Sequence, residues 1–77
     1  MARKNRNIDQ SFGDALRRRR LEAGLSQEEL AHRCDLHRTY ISMLERGLKS
    51  PSLGVVKRLS GAVGVEAWEL VREAETR

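Results

Sequence analysis

Between Gly24 and Leu30 the chain stops one helix and starts the next. Glycine takes the left-handed backbone that closes a helix with no steric cost, and Gly24 stands where such a stop is needed. The stretch "LSQEEL" follows at once. Ser26 reads as the N-cap, Glu29 as its capping-box partner three residues on, and Leu25 with Leu30 as a hydrophobic staple. Similar punctuation recurs: Gly47 and Gly64 are placed as further stops, and "SPSL" as a further start, with Ser50 as cap and Pro51 at the first helical position. Residues of high strand propensity are few, and nothing alternates for long at the strand period. A chain punctuated this often folds into short helices joined by short turns.

Five helices are predicted. The first runs from Asp9 or Gln10 to Ala23, with Phe12 and Leu16 on one side. The second, capped by Ser26, ends near Arg33 or Cys34. The third lies in "HRTYISMLERG" and is ended by Gly47. A fourth runs from "SPSL" to about Val63, weakened by Gly54 and Gly61, each costing about 1 kcal/mol relative to alanine. The last spans roughly Glu66 to Glu73. The fold class is therefore all-α. With 77 residues and no repeat, low-complexity tract or linker, the chain reads as one domain over 9–74, preceded by a basic arm over 1–8.

The net charge is +4, and its distribution is informative. Arg3, Lys4 and Arg6 make the arm basic, while Glu66, Glu69, Glu73 and Glu75 outweigh Arg72 and Arg77 at the other end. A basic body suits a polyanion such as nucleic acid, although solubility alone explains a charge of this size equally well. No apolar run is long enough to span a membrane, and the start does not resemble a secretion signal. The single cysteine, Cys34, has no partner for an internal disulfide, so the expected compartment is a reducing cytoplasm, in association with the nucleoid.

On a helical wheel the third helix divides cleanly. His37, Ile41, Leu44 and Leu48 fall together as a stripe to be buried. Thr39, Ser42, Met43 and Arg46 fall on the opposite side, flanked by Arg38 and Tyr40. Leu30, Ala31, Cys34 and Leu36 supply the apolar positions of the second helix and its turn, with Ala31 small enough for close approach. Two helices joined by a turn of about three residues have helix-turn-helix geometry, in which the second presents its outer face to the major groove.

The stretch "GLSQEELAHRCDLHRTYISMLERGLKSPSL", with "FGDALRRRRLEAGLS" before it and "VKRLSGAVGVEAWELV" after, resembles the Xre family of regulators with the lambda-repressor-like fold. Two departures stand out: Asp35 occupies a turn position where glycine is usual, and Ser60 and Gly61 replace an alanine-rich stretch. Asp tolerates the left-handed conformation better than most residues, so the turn is expected to survive.

The resemblance implies roles for particular residues. Gln27 falls where the family contacts a phosphate, and Arg38, Thr39, Ser42 and Met43 fall at base-reading positions. Tyr40, Arg46 and Lys49 are suited to the sugar-phosphate backbone. Arg20 and Glu45 match a pair that ties the first helix to the recognition helix. Within the family, the chain most resembles the small controller proteins of restriction–modification systems, which act on their own operon and also activate by touching RNA polymerase. Glu28 is the candidate acidic contact for such activation.

One recognition helix reads only a few base pairs, so the expected form is a homodimer on a pseudo-palindromic operator of double-stranded DNA. Val65, Trp68, Leu70 and Val71 on the last helix are the candidate seam, some of them turning inward, with Trp68 favoured as a core residue. "RRRR", residues 17–20, goes right round a helix, so at most two of the four can face DNA and the others read as solubilising. His32, Cys34 and His37 lack both regular spacing and a fourth ligand, which argues against metal. Catalysis has no candidate residues, and no cofactor is implied. The alternative function is that of an antitoxin or other interaction protein that binds a protein partner and autoregulates its operon.

Overall fold

The computed structural model describes residues 7–76. Among them the helices are α1 (Ile8–Glu22), α2 (Gln27–Cys34), α3 (Arg38–Glu45), α4 (Leu53–Val63) and α5 (Ala67–Glu75), with no strand. Of the arm expected over 1–8, residues 1–6 lie outside the described residues. Asn7 and Ile8 belong to the fold: the Asn7 side chain caps α1 by accepting from the Gln10 amide at 2.9 Å.

Four helices end by one device. After α1, α2, α3 and α4 a residue takes left-handed backbone: Gly24 (φ 76°), Asp35 (56°), Gly47 (76°) and Gly64 (80°). The amide of the next residue then bonds back five positions, Leu25 to Arg20, Leu36 to Ala31, Leu48 to Met43 and Val65 to Ser60, at 2.9–3.1 Å. Each stop thus satisfies a terminal carbonyl and turns an apolar side chain toward the bundle or the turn surface. Asp35 is the one non-glycine residue among those described with positive φ, the conformation that the turn requires and that Asp tolerates.

The core is a single cluster built on Leu16, Leu30, Ile41, Leu44, Leu59 and Leu70, each fully buried, with Phe12, Ala15, Ala31, Cys34 and Val56 around them. Burial of large aliphatic groups contributes about 1.5–3 kcal/mol per side chain, so this cluster is the main source of stability. Helix α1 lies at its centre, packing most extensively on α5 and also on α3. Its closest approach is at Gly13: a Cβ there would sit 2.4 Å from the Leu44 carbonyl oxygen and 2.6 Å from that of Glu45.

The structure departs from the sequence reading in several places. The cap of α4 is Ser52, whose hydroxyl accepts from the Val55 amide at 3.1 Å, not Ser50. Pro51 therefore precedes the cap, and the Ser50 hydroxyl instead donates to Asp9 Oδ1 at 2.6 Å. His37 and Leu48 do not join the buried stripe of α3. His37 is the exposed residue before the helix, and Leu48 is 60% exposed because Gly47 breaks the helical path ahead of it. Trp68 is not core but 60% exposed, whereas Leu70 is wholly buried and cannot be a seam residue. On α5, Leu70 and Ala74 share the inward face at i, i+4, and this spacing places Trp68 and Val71 elsewhere.

The four consecutive arginines are also less free than expected. Arg20 is buried, Arg18 Nη2 donates to Glu73 Oε1 at 2.6 Å, and Arg19 bonds Glu73 Oε2 through Nε at 3.0 Å and through Nη2. Only Arg17 of the four is exposed to solvent, Arg18 and Arg19 being half-buried. The hydrogen bond from Arg19 holds the Glu73 carboxyl below the usual carboxylate range, against the opposing effect of burial.

Candidate nucleic-acid interface

The capping box of α2 is complete: Ser26 Oγ accepts from the Glu29 amide at 3.0 Å, and Glu29 Oε1 accepts from the Ser26 amide at 2.8 Å. These bonds hold the Glu29 carboxyl low in pKa and fix where α2 begins. Helix α2 then runs to the Asp35 turn. That turn is fastened from α4, since Arg58 Nη1 donates to the Cys34 carbonyl at 2.9 Å and Cys34 Sγ reaches the Arg58 carbonyl at 3.5 Å. Arg58 was not singled out in the sequence, where a basic residue on an amphipathic helix reads as solvated surface. The Cys34 thiol is buried, and burial pushes its pKa up, so it behaves as an apolar group. No cluster of metal-ligating side chains occurs among the described residues.

Helix α3 leaves this turn with Ile41, Leu44 and Glu45 facing inward. Its outward side carries Arg38 and Thr39, both exposed, and Ser42 and Met43, both half-buried. Arg46 and Lys49 are exposed just beyond the helix. Tyr40 is half-buried and packs against the core, which holds its ring at the edge of this surface. The one carboxylate of α3, Glu45, is turned away and neutralised. The surface so formed carries cationic side chains at both ends and offers hydroxyl, methyl and thioether groups between them.

Glu45 is the hub beneath that surface. Arg20 Nε donates to Glu45 Oε2 at 2.6 Å, Arg20 Nη2 to Oε1 at 3.0 Å, and Arg20 Nη1 to the Leu25 carbonyl at 2.8 Å. Gln27 Nε2 donates to Glu45 Oε1 at 3.0 Å, and Arg38 Nη1 donates to Gln27 Oε1 at 3.0 Å. Five hydrogen bonds thereby join α1, α2, α3 and the turn after α1, and no buried side-chain polar atom among the described residues lacks a partner. Sequence resemblance brought Arg20 and Glu45 together, but the link through Gln27 to Arg38 was not visible there. Residues eleven and eighteen positions from Gln27 meet only once the turn is folded.

The exposed Leu53 and Trp68 and the half-buried Ala67 and Val71 line one apolar groove between α4 and α5, bordered by Lys57, Arg72 and Glu75. Val65, in the turn between α4 and α5, is half-buried and packs against the core, and it is not among the residues that line this groove. Glu28 is exposed on α2 with Glu29, His32 and Arg33 around it. No helix among the described residues is long and apolar enough to cross a membrane.

Two helices, a left-handed turn and an outward polar face on the second define a helix-turn-helix protein. Residues 16–67 match the Helix-turn-helix family model HTH_3, and the chain belongs to that Xre-like family of regulators. It is 47% identical over 66 residues to control protein C.BamHI of Bacillus amyloliquefaciens, covering 84% of this chain and 82% of that one. It is 38% identical over 65 residues to control protein C.MunI of Mycoplasma sp, covering 83% and 88%. The crystal structure of the restriction–modification controller protein C.AhdI from Aeromonas hydrophila superposes with a TM-score of 0.77 at 41% identity, over 79% of this chain and 92% of that chain.

Proposed function

We propose that this protein is a restriction–modification controller, a sequence-specific transcription regulator that binds double-stranded DNA as a homodimer on a pseudo-palindromic operator. The observation that carries the reading is the outward face of α3. Arg38, Thr39, Ser42 and Met43 stand there without a competing carboxylate of their own helix, on a scaffold akin to those of C.BamHI and C.AhdI. Arg38 suits a bidentate contact with guanine, and Thr39 or Met43 a thymine methyl. Gln27, Tyr40, Arg46 and Lys49 surround that face and meet the sugar-phosphate backbone.

The dimer forms through the α4–α5 groove, with Trp68 and Val71 in the seam and Leu53 facing them. Five apolar side chains, Leu53, Val56, Ala67, Trp68 and Val71, line one groove with two of them more than half exposed, which is more than a lone domain this size keeps in water without use. Glu28, exposed on α2 beside the DNA-facing surface, supplies the acidic contact through which bound protein touches RNA polymerase.

Binding the purified protein to fragmented DNA from its own source, at near-physiological salt, tests this role. Recovery of fragments from in front of its own gene, beside a nuclease and a methylase gene, supports it. Recovery of fragments from everywhere in equal measure refutes it.

A further inference from the structure

Helix α5 rests on the core by a single row. Leu70 and Ala74, one turn apart, are its buried residues. A short helix held along one row resists lifting more than it resists rolling about its own axis. At about 100° per residue, Glu69 and Glu73 flank that row on one side, and Ala67 and Val71 flank it on the other. The acidic flank is gripped from α1. Arg18 Nη2 donates to Glu73 Oε1 at 2.6 Å and Arg19 Nε to Glu73 Oε2 at 3.0 Å, so consecutive arginines take one carboxylate oxygen each. Arg19 Nη2 also lies 3.9 Å from Glu69 Oε1, one turn earlier on α5. The Glu73 side chain is only 19% exposed, which sets this grip apart from a freely solvated ion pair. Trp68 lines both the α4–α5 groove and the recess where Arg19 meets Glu73. The groups that stop α5 from rolling thus adjoin the ring proposed to meet a second protomer.

We propose that Glu73 is a specificity-determining positioning residue: gripped by Arg18 and Arg19, it fixes the roll of α5 and with it the half-site spacing that the dimer reads. This rests on the dimeric DNA-reading function proposed above. In a symmetric dimer each protomer presents one recognition helix, and the seam sets how the two are separated and turned. One extra base pair between half-sites shifts them by about 3.4 Å and turns them by about 35°. A protomer braced from α3 through α1 to α5 passes that mismatch on to the DNA or the seam, where it costs affinity. A protomer whose α5 can roll absorbs part of it. Arg20, next along α1, holds Glu45 on α3, so residues 18–20 brace the reading helix and the pairing helix against one element.

The test measures affinity for inverted repeats whose half-sites stay constant while the spacer changes one base pair at a time. Wild type is compared with Glu73→Ala, both held above the concentration at which they dimerise. Alanine keeps the helix and removes the hydrogen bonds, Arg18 and Arg19 are partly open to water, and a thermal melt checks folding. One base pair from its best spacer, wild type loses about tenfold or more in affinity, because the second half-site is then poorly engaged. In Glu73→Ala that penalty falls by about threefold or more, while base preference within a half-site is unchanged. A loss of affinity equal at every spacer would make Glu73 a stabilising residue only and overturn the proposal, as would an unaltered spacer penalty. Should wild type bind no inverted repeat, or bind as a monomer, the function on which this rests fails before any Glu73 variant is used. A measurement without DNA complements these. A spin label at Arg17→Cys, with Cys34 buried and unlabelled, reports a distance across the dimer whose distribution broadens in Glu73→Ala. Equal widths would contradict the positioning role.

Discussion

Arg20 on α1 and Glu45 at the end of α3 form a buried ion pair joined by two hydrogen bonds, their side chains 8% and 3% exposed. The hydrogen bonds favour the charged guanidinium and push its pKa up, against burial, which acts the other way. Breaking such a pair from one side leaves a charge buried without its partner. Glu45→Leu is expected to cost about 3–5 kcal/mol of unfolding free energy, and Arg20→Met, Glu45→Leu together markedly less than the sum of the two singles. Urea unfolding of the three variants measures this, and additive losses would show the pair to be uncoupled.

Gly13 and Gly61 are both helical glycines, yet alanine is expected to act oppositely at the two. At Gly13 a Cβ would meet backbone oxygens of Leu44 and Glu45 at 2.4 and 2.6 Å, so α1 and α3 must separate. Gly13→Ala should destabilise by about 2 kcal/mol or more despite its better helix propensity. At Gly61 nothing lies within 4 Å, and Gly61→Ala should stabilise by about 0.5–1 kcal/mol. Denaturant midpoints of the two variants distinguish these outcomes.

Glu73 ties α5 to α1 through Arg18 and Arg19, and its folded pKa is lowered chiefly by the hydrogen bond from Arg19. A lowered carboxyl pKa adds stability that is fully present above the unfolded value, about 4.3, and is lost as pH falls through it toward the folded value. The Tm difference between wild type and Glu73→Gln should therefore be largest near neutral pH and shrink below about pH 4.3. A difference that stays constant down to pH 3 would show that Glu73 acts through packing instead.

Trp68 is 60% exposed, so Trp68→Glu should leave each protomer folded while placing a charge in the proposed seam. Sedimentation is expected to show wild type as a dimer at micromolar concentration and the variant as a monomer. Operator affinity should drop by about 100-fold or more, since each half-site would then be bound without the other. A wild type that remains monomeric would remove the seam.

Much of this was legible in the sequence where local chemistry decides the outcome. Ser26 and Glu29 can hardly do anything but cap α2, and Gly24, Gly47 and Gly64 stop helices because they reach φ near +80° without strain. "SPS" misled because either serine can cap, and the choice of Ser52 leaves Ser50 for Asp9 on α1, a partner 41 residues away. The wheel failed at His37 and Leu48 because it extends a helix through residues that are not helical. Trp68 shows a different limit: hydrophobicity says that a side chain needs cover but not whose. The Gln27 relay was hidden for the same reason as the Arg18 and Arg19 bonds to Glu73, since both depend on which helices become neighbours.

The central claim is that the outward face of α3, presented twice by a dimer, reads DNA sequence. Selection from random duplexes by the purified protein, at near-physiological salt, tests it most directly, because non-specific affinity is suppressed there. An enriched inverted repeat, its half-sites about one helical turn apart, is the predicted result, and it would be lost on Arg38→Ala. A recovered pool with no consensus would contradict the account.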